Sequence, residues 1–129
     1  MQHTQAKKVL IVEDDEDLRK ILAHALSAFN YIIFEAEDGE KALQVIHQDE
    51  PHLIILDLML PKVDGFKVLE NIRHSANTTI AEIPVIVLSN LWTDKDILRI
   101  QALKIEEYYV KTTANLQDVY KKVQEVLAK

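Results

Sequence analysis

Carboxylates lie within or directly after two of the most apolar stretches of the sequence. Asp57 lies inside LIILDLMLP, residues 53–61, and Glu13, Asp14 and Asp15 directly follow the first apolar run. An unpaired ion in apolar surroundings is costly, so buried charges are usually paired, bound to metal or protonated. These carboxylates therefore need a cation, and the nature of that cation indicates the chemistry.

Two further polar residues end apolar runs and can complete such a site, namely Ser89 and Lys111. Three carboxylates, Glu13, Asp14 and Asp57, together with the Lys111 ammonium leave a formal charge of −2, which a divalent cation would neutralise. Donor sets made only of oxygens favour Mg²⁺, Mn²⁺ or Ca²⁺. Ser89 and Lys111 can bind phosphate oxygens while Asp57 attacks phosphorus as a nucleophile, which predicts an aspartyl phosphate.

Five short apolar runs predict the strands that carry these residues. The runs are continuous and rich in β-branched and aromatic residues, which is typical of strands covered on both faces of a parallel sheet. They span residues 9–12, 31–34, 53–58, 85–88 and 108–110.

Amphipathic stretches between these runs predict five helices. The first carries a stripe at helical spacing, made of Leu18, Ile21, Leu22, Ala25, Leu26 and Phe29. Thr93 with Asp96, and Asn115 with Asp118, have the spacing of helix starts. Strands alternating with helices predict an α/β domain with a parallel sheet.

The carboxyl ends of parallel strands are where such sheets bind ligands. Strand one ends in Glu13 and Asp14, strand three near Asp57, strand four in Ser89 and strand five in Lys111. We therefore expect these five side chains at one edge of the sheet.

The composition narrows the class of protein. The 129 residues suit a single domain with a core over about residues 7–128, and no output domain is expected. Cysteine is absent, which excludes disulfides and thiolate metal sites and makes a cytoplasmic setting the default. The net charge of −6 disfavours direct binding to nucleic acid, and no apolar stretch approaches the ~20 residues of a membrane helix.

Four motifs in order, VLIVEDD, LIILDLMLPKVDGF, IPVIVLSN and YYVK, resemble those of response-regulator receiver domains of two-component signalling. The spacing D-x-x-x-P-x-x-x-G, from Asp57 through Pro61 to Gly65, is specific when combined with the acidic turn. The resemblance covers essentially the whole chain. It implies a doubly wound, flavodoxin-like (βα)5 fold with a five-stranded parallel sheet in the order 2-1-3-4-5.

The resemblance also implies roles for individual residues at the acidic site. Asp57 would be the phosphoacceptor, Asp14 a direct Mg²⁺ ligand and Glu13 a ligand through water. Met59 would offer its backbone carbonyl to the metal, and Mn²⁺ could replace Mg²⁺. Asp15 occupies the less constrained third place of the acidic turn.

A switch is implied in the same way. Ser89 would be the switch hydroxyl, Tyr108 the switch aromatic residue and Lys111 the phosphate-binding lysine. The phosphoryl donor would be a histidine kinase or a histidine phosphotransfer protein. A downstream protein partner would bind the face formed by the fourth helix, fifth strand and fifth helix, and a homodimer that forms on phosphorylation is left open.

Three positions depart from the usual pattern of the family. Thr112 replaces the proline that usually follows the lysine, Asn90 replaces a small residue after Ser89, and Lys104 stands where glycine is common. A cis peptide bond is improbable before threonine, so we expect the loop after Lys111 to differ.

Residues beside the switch lead to two further expectations. In the family, the positions of Met59 and Leu91 border the path of the hydrolytic water; because neither side chain here can position water, slow autodephosphorylation is expected. Trp92, the single tryptophan, would report on the loop that follows Ser89.

Other interpretations remain open at this point. A haloacid-dehalogenase-type phosphohydrolase also uses a nucleophilic aspartate and Mg²⁺, but that family places D-x-D on its first strand. A receiver-like scaffold that binds partners without being phosphorylated is the other alternative. Asp14 and Asp15 could simply cap the first helix. If the chain is a receiver, it is not an enzyme beyond self-catalysed phosphotransfer and autodephosphorylation.

Overall fold

Five parallel strands form one sheet. In the computed structural model, which describes residues 5–90 and 93–129, the strands are β1 (Lys8–Val12), β2 (Ile32–Ala36), β3 (Leu53–Leu56), β4 (Val85–Ser89) and β5 (Glu107–Val110). Their order is β2-β1-β3-β4-β5, and every pairing is parallel. The predicted strand order and α/β class are therefore confirmed.

Six helices lie between the strands or after the last of them, within the described residues. They are α1 (Glu16–Ser27), α2 (Gly39–Asp49), α3 (Gly65–Arg73), α4 (Thr78–Ala81), α5 (Asp94–Gln101) and α6 (Leu116–Leu127). The prediction of five helices missed the single-turn α4, which is too short to show a helical stripe. The predicted fourth and fifth helices are α5 and α6, so the predicted output face is the α5–β5–α6 face.

The helices cover the sheet on two sides. One apolar cluster joins alternate strand residues to α2, α3, α4 and α5, and the other joins the remaining strand residues to α1 and α6. In β3, for example, Ile54 and Leu56 belong to the first cluster, and Leu53 and Ile55 to the second. This alternation is the period of two that a strand imposes.

The inner strands are buried more completely than the two edge strands. Residues of β3 and β4 are all buried, and β1 is buried after its first residue, whereas most of β2 and β5 is partly exposed. The expectation of two covered faces is therefore met fully by the inner strands and in part by the two edge strands. The edge strands still pack on both sides of the sheet, because Phe34 and Tyr108 lie against the first cluster and Ile33 and Tyr109 against the second.

Helix α1 buries a narrower stripe than its sequence predicts. Its buried residues are Arg19, Leu22 and Leu26, whereas Ile21 is 53% exposed and Phe29, beyond the helix end, is 39% exposed. Apolar type alone could not separate the inner from the outer side of this stripe. The buried Arg19 was not predicted, and it contacts the acidic turn.

Both predicted helix starts are confirmed. The Thr93 side chain accepts a hydrogen bond from the Asp96 amide and begins α5, and the Asn115 side chain accepts one from Gln117 and begins α6. Such caps satisfy amides that have no partner inside the helix. Among the described residues, no helix is both long enough and apolar enough to span a bilayer.

Candidate functional site

Asp57 lies directly after β3, at the carboxyl edge of the sheet. The predicted strand 53–58 is too long, because β3 ends at Leu56. The Asp57 amide donates to the Val12 carbonyl at 3.0 Å, and its side chain is 3% exposed. One carboxylate oxygen, Oδ1, accepts a hydrogen bond from the Met59 amide at 3.0 Å. The backbone on either side therefore fixes the orientation of this carboxylate.

Gly65 permits the chain to return close to Asp57. A Cβ atom at Gly65 would lie 2.4 Å from the Asp57 carbonyl oxygen and 2.5 Å from the Leu58 Cα. The Gly65 amide donates to the Leu58 carbonyl at 3.0 Å. The glycine of D-x-x-x-P-x-x-x-G is therefore required by close packing of the start of α3 against the Asp57 backbone.

The acidic turn after β1 places its three carboxylates in different environments. Glu13 is 2% exposed, whereas Asp14 and Asp15 are exposed. Asp15 caps α1 by accepting from the Leu18 amide at 3.2 Å, and its own amide donates to Glu13 Oε2 at 3.0 Å. The capping interpretation therefore holds for Asp15.

Lys111 brings the strand ends together. Its Nζ lies 2.6 Å from Asp57 Oδ2 and 2.8 Å from Glu13 Oε1. Burial lowers the pKa of Lys111, but the hydrogen bonds and charges of Asp57 and Glu13 outweigh burial and raise the pKa above its ordinary value. For Glu13, burial raises the pKa because it disfavours the charged carboxylate, and the hydrogen bond from Lys111 offsets only part of that increase. One cation thus bridges two buried carboxylates.

The same carboxylates can hold a metal ion. Glu13, Asp14 and Asp57 can each place an oxygen so that the three atoms lie within 4.8 Å of one another. One ammonium cannot neutralise three carboxylates, and all donors are hard oxygens, which fits Mg²⁺ or Mn²⁺. The Met59 carbonyl as a further ligand stays a prediction.

Arg19 is a residue of this site that sequence reasoning missed. Its Nη1 donates to the Glu13 carbonyl at 2.9 Å and its Nε pairs with Glu35 Oε1 at 3.1 Å. Its hydrogen bond therefore supports the backbone of the acidic turn. The available signal was its spacing: Arg19, Leu22 and Leu26 fall at i, i+3 and i+7 on the buried side of α1.

The two predicted switch residues lie on neighbouring strands. Ser89, the last residue of β4, is fully buried, and its carbonyl accepts from the Lys111 amide at 3.1 Å. Tyr108 of β5 pairs with Val87, and its hydroxyl is buried without a hydrogen-bond partner among the described parts of the chain. Burial raises the pKa of Tyr108, with smaller contributions from Asp96 and Asp57.

Two departures from the family pattern have visible backbone consequences. No peptide bond in the described residues is cis, so the bond between Lys111 and Thr112 is trans, as expected. Lys104 has φ of 57°, in the left-handed region that glycine adopts readily. The expectations for Leu91 and Trp92 lie outside the described residues, and Met59 is 57% exposed.

The chain matches a known protein family over most of its length. The sequence model of one protein family, the response regulator receiver domain, matches residues 9–124. This chain belongs to that family. A probable transcriptional regulator ycf27 from Guillardia theta is 40% identical over 105 residues, which cover 81% of this chain and 39% of that protein. The receiver domain described here thus spans about two fifths of the length of the first curated relatives it matches.

Solved receiver structures agree with the fold. The phosphorylated cyanobacterial phytochrome response regulator RcpA is 31% identical, with a TM-score of 0.78 over 95% of this chain and 91% of that chain. The Mn²⁺-bound form of the response regulator Rcp1 is 30% identical, with a TM-score of 0.75 over 93% and 91% of the two chains. The resemblance found in the sequence is confirmed.

Proposed function

We propose that this receiver domain accepts a phosphoryl group on Asp57 from a histidine kinase or a histidine phosphotransfer protein. The observation that carries the proposal is the environment of the Asp57 carboxylate. It is buried, it accepts from the Met59 amide, and it lies 2.6 Å from the Lys111 ammonium. A buried carboxylate at a strand end, beside a cation and two further acids, suits a nucleophile for phosphorus.

In the proposed reaction, an Asp57 oxygen attacks phosphorus in line with the leaving group. The bond from phosphorus to the donor histidine nitrogen breaks, the nitrogen keeps the electron pair, and Asp57 becomes an acyl phosphate. Lys111 transfers its hydrogen bond from the Asp57 carboxylate to a phosphoryl oxygen. The Ser89 hydroxyl donates to another, so both side chains stabilise the charge on the transferred group.

Glu13, Asp14, Asp57 and the Met59 carbonyl would hold Mg²⁺, and Mn²⁺ fits the same oxygens. A divalent ion bound there neutralises charge on the phosphoryl oxygens. Asp14 suits direct ligation because it is exposed and Lys111 does not bind it. Glu13 is held by Lys111 and suits a contact through water.

Phosphorylation would be transmitted through Ser89 and Tyr108 to the α5–β5–α6 face, where a downstream protein partner binds. The phosphoryl group adds a charge of about −2 beside Ser89. The Tyr108 hydroxyl is already buried before phosphorylation. A buried hydroxyl without a hydrogen-bond partner is unfavourable. The switch therefore stabilises the buried position that the Tyr108 hydroxyl already occupies.

The proposal makes the chain a signalling protein whose only catalysis is its own phosphotransfer and autodephosphorylation. The haloacid-dehalogenase alternative predicts turnover of a small phosphate ester instead. It receives no support from the acidic turn, which is E-D-D rather than D-x-D.

The direct test is intact mass after incubation with acetyl phosphate. The parent should gain one phosphoryl group per chain with Mg²⁺ and none without a divalent ion, and Asp57→Asn should gain none. Asp15→Asn is the matched control, because asparagine keeps the helix cap, and it should label like the parent. Labelling of Asp57→Asn at another carboxylate would refute the assignment, and multiple turnovers of a small ester would favour the hydrolase.

A further inference from the structure

Two departures from the family pattern, Asn90 and Thr112, meet in space. The Thr112 amide donates a hydrogen bond to Asn90 Oδ1 at 3.1 Å, across 22 positions of sequence. Asn90 directly follows Ser89, and Thr112 directly follows Lys111. The contact therefore joins the two loops that present the switch hydroxyl and the phosphate-binding ammonium.

The amides after β5 show why this contact is needed. The Thr113 and Ala114 amides both donate to the Val110 carbonyl, at 3.1 and 2.8 Å. The Lys111 amide donates to the Ser89 carbonyl at 3.1 Å. The Thr112 amide is the one left in this turn, and the Asn90 side chain accepts it.

The two substitutions are complementary in hydrogen bonding. A proline after the lysine has no amide hydrogen, so the position after the switch hydroxyl needs no acceptor and can be small. Threonine restores the amide hydrogen, and asparagine supplies the acceptor oxygen. A side-chain bond thereby continues the β4–β5 ladder one step beyond its last backbone bond.

We propose that Asn90 is a positioning residue for Lys111. By accepting the Thr112 amide, it holds the start of the β5–α6 loop against the end of β4 and fixes the spacing of Ser89 and Lys111 above Asp57. It takes the place of the restraint that a proline ring would give to the same loop. The inference rests on the proposed function only for its kinetic readout.

The contact itself is tested by amide hydrogen exchange followed by NMR. Asn90→Ala should speed exchange of the Thr112 amide about tenfold, the equivalent of one net hydrogen bond, and should also speed exchange of the Lys111 amide. Asn90→Asp keeps an acceptor oxygen and should retain the protection of Thr112. If the Thr112 amide exchanges equally fast in the parent and in Asn90→Ala, the proposal is overturned.

The positioning role is tested by the rate of labelling with acetyl phosphate and Mg²⁺. Asn90→Ala should lower the rate constant at saturating donor about three- to tenfold, because the ammonium loses its fixed place. Asn77→Ala is the matched control. Asn77 also accepts backbone amides, those of Thr79 and Ile80, but it caps α4 before β4 begins, at the opposite end of the sheet.

The two measurements separate failure of this inference from failure of the proposed function. Asn90→Ala that labels like the parent, or Asn77→Ala that slows as much, would overturn the positioning role. A parent that takes up no phosphoryl group would refute the proposed function, and the exchange rates of the Thr112 amide would still decide whether Asn90 holds the loop.

Discussion

Two partly buried cations, Lys111 and Arg73, lie at opposite ends of the sheet and are satisfied by different oxygens. Lys111 pairs with the carboxylates of Glu13 and Asp57. The Arg73 guanidinium donates instead to four backbone carbonyls at 2.7–3.0 Å, those of Ala81, Ile83, Leu103 and Lys104. Charged partners raise the pKa of Lys111, whereas burial lowers the pKa of Arg73.

The difference separates an exchangeable contact from a fixed one. Either carboxylate can exchange the Lys111 ammonium for a metal ion without any change in the backbone. Lys111 can likewise exchange a carboxylate for a phosphoryl group. The four carbonyls around Arg73 end α4, precede β4 and follow α5, so they cannot change partner without loss of that structure. The contacts at the carboxyl end of the sheet can therefore exchange partners, while those at the amino end hold the helices in place.

The largest expected effect is on phosphorylation. Lys111→Met should slow labelling by acetyl phosphate with Mg²⁺ about 100- to 1000-fold, the range found when one transition-state donor is removed. Arg73→Met should label at the parent rate in its folded fraction, because Arg73 lies at the other end of the sheet. Equal slowing in both variants would show that the two ends are not separate in function.

Stability should distinguish the same two variants. Arg73→Met leaves four carbonyls without their donor and should lower the free energy of unfolding by about 3 kcal/mol, since each unsatisfied buried group costs about 1–3 kcal/mol and some will be hydrated. Lys111→Met should also lose stability, because two buried carboxylates lose their cation. Urea unfolding with and without Mg²⁺ checks the contrast: Mg²⁺ should restore stability to Lys111→Met and not to Arg73→Met.

A smaller effect comes from two lysines in left-handed conformations. Lys104 beside Arg73 has φ of 57°, and Lys62 in the loop after β3 has φ of 67°. Lys104→Gly should raise the free energy of unfolding by about 0.5–1 kcal/mol, because glycine adopts positive φ without strain. Lys62→Gly should gain less, since it loses the ion pair with Asp38 at 3.6 Å.

The control for this comparison is Lys104→Ala, which removes the side chain but keeps a Cβ atom at positive φ. It should show no gain in urea unfolding. A gain as large as that of glycine would mean that the lysine side chain, rather than the backbone conformation, is unfavourable there.

The smallest effect is on the pH dependence of stability. The hydrogen bond from the Lys41 amide lowers the pKa of Asp38 below its usual 3.8, with help from Lys62. Ionised Asp38 therefore stabilises the fold at pH values above 3.8, and this stabilisation is lost as the pH falls through the lowered pKa. Asp38→Asn should be less stable than the parent at about pH 6 and should approach it at about pH 3. A constant difference between the two proteins in urea unfolding would contradict this.

The sequence predicted the strands and caps well where the signal was local. Apolar runs located all five strands, and Thr93 and Asn115 were recognised as caps from their own neighbours. The predicted strand 53–58 was too long because Leu58 is apolar and buried but lies in a loop. Its hydrophobicity therefore indicates burial and not strand structure. Ile21 was misplaced because its inner or outer position depends on how α1 lies on the sheet.

The sequence by itself determined the α/β class and the set of polar strand ends, because apolar periodicity and capping act over a few residues. The order of the strands was implied by the resemblance to receiver domains. Only the tertiary structure decided that Lys111 binds both Glu13 and Asp57, which lie 98 and 54 positions away. The same is true of Asn90 with Thr112 and of Arg73 with its four carbonyls. Contacts of this kind depend on how strands and loops are arranged side by side, and no local pattern records that arrangement.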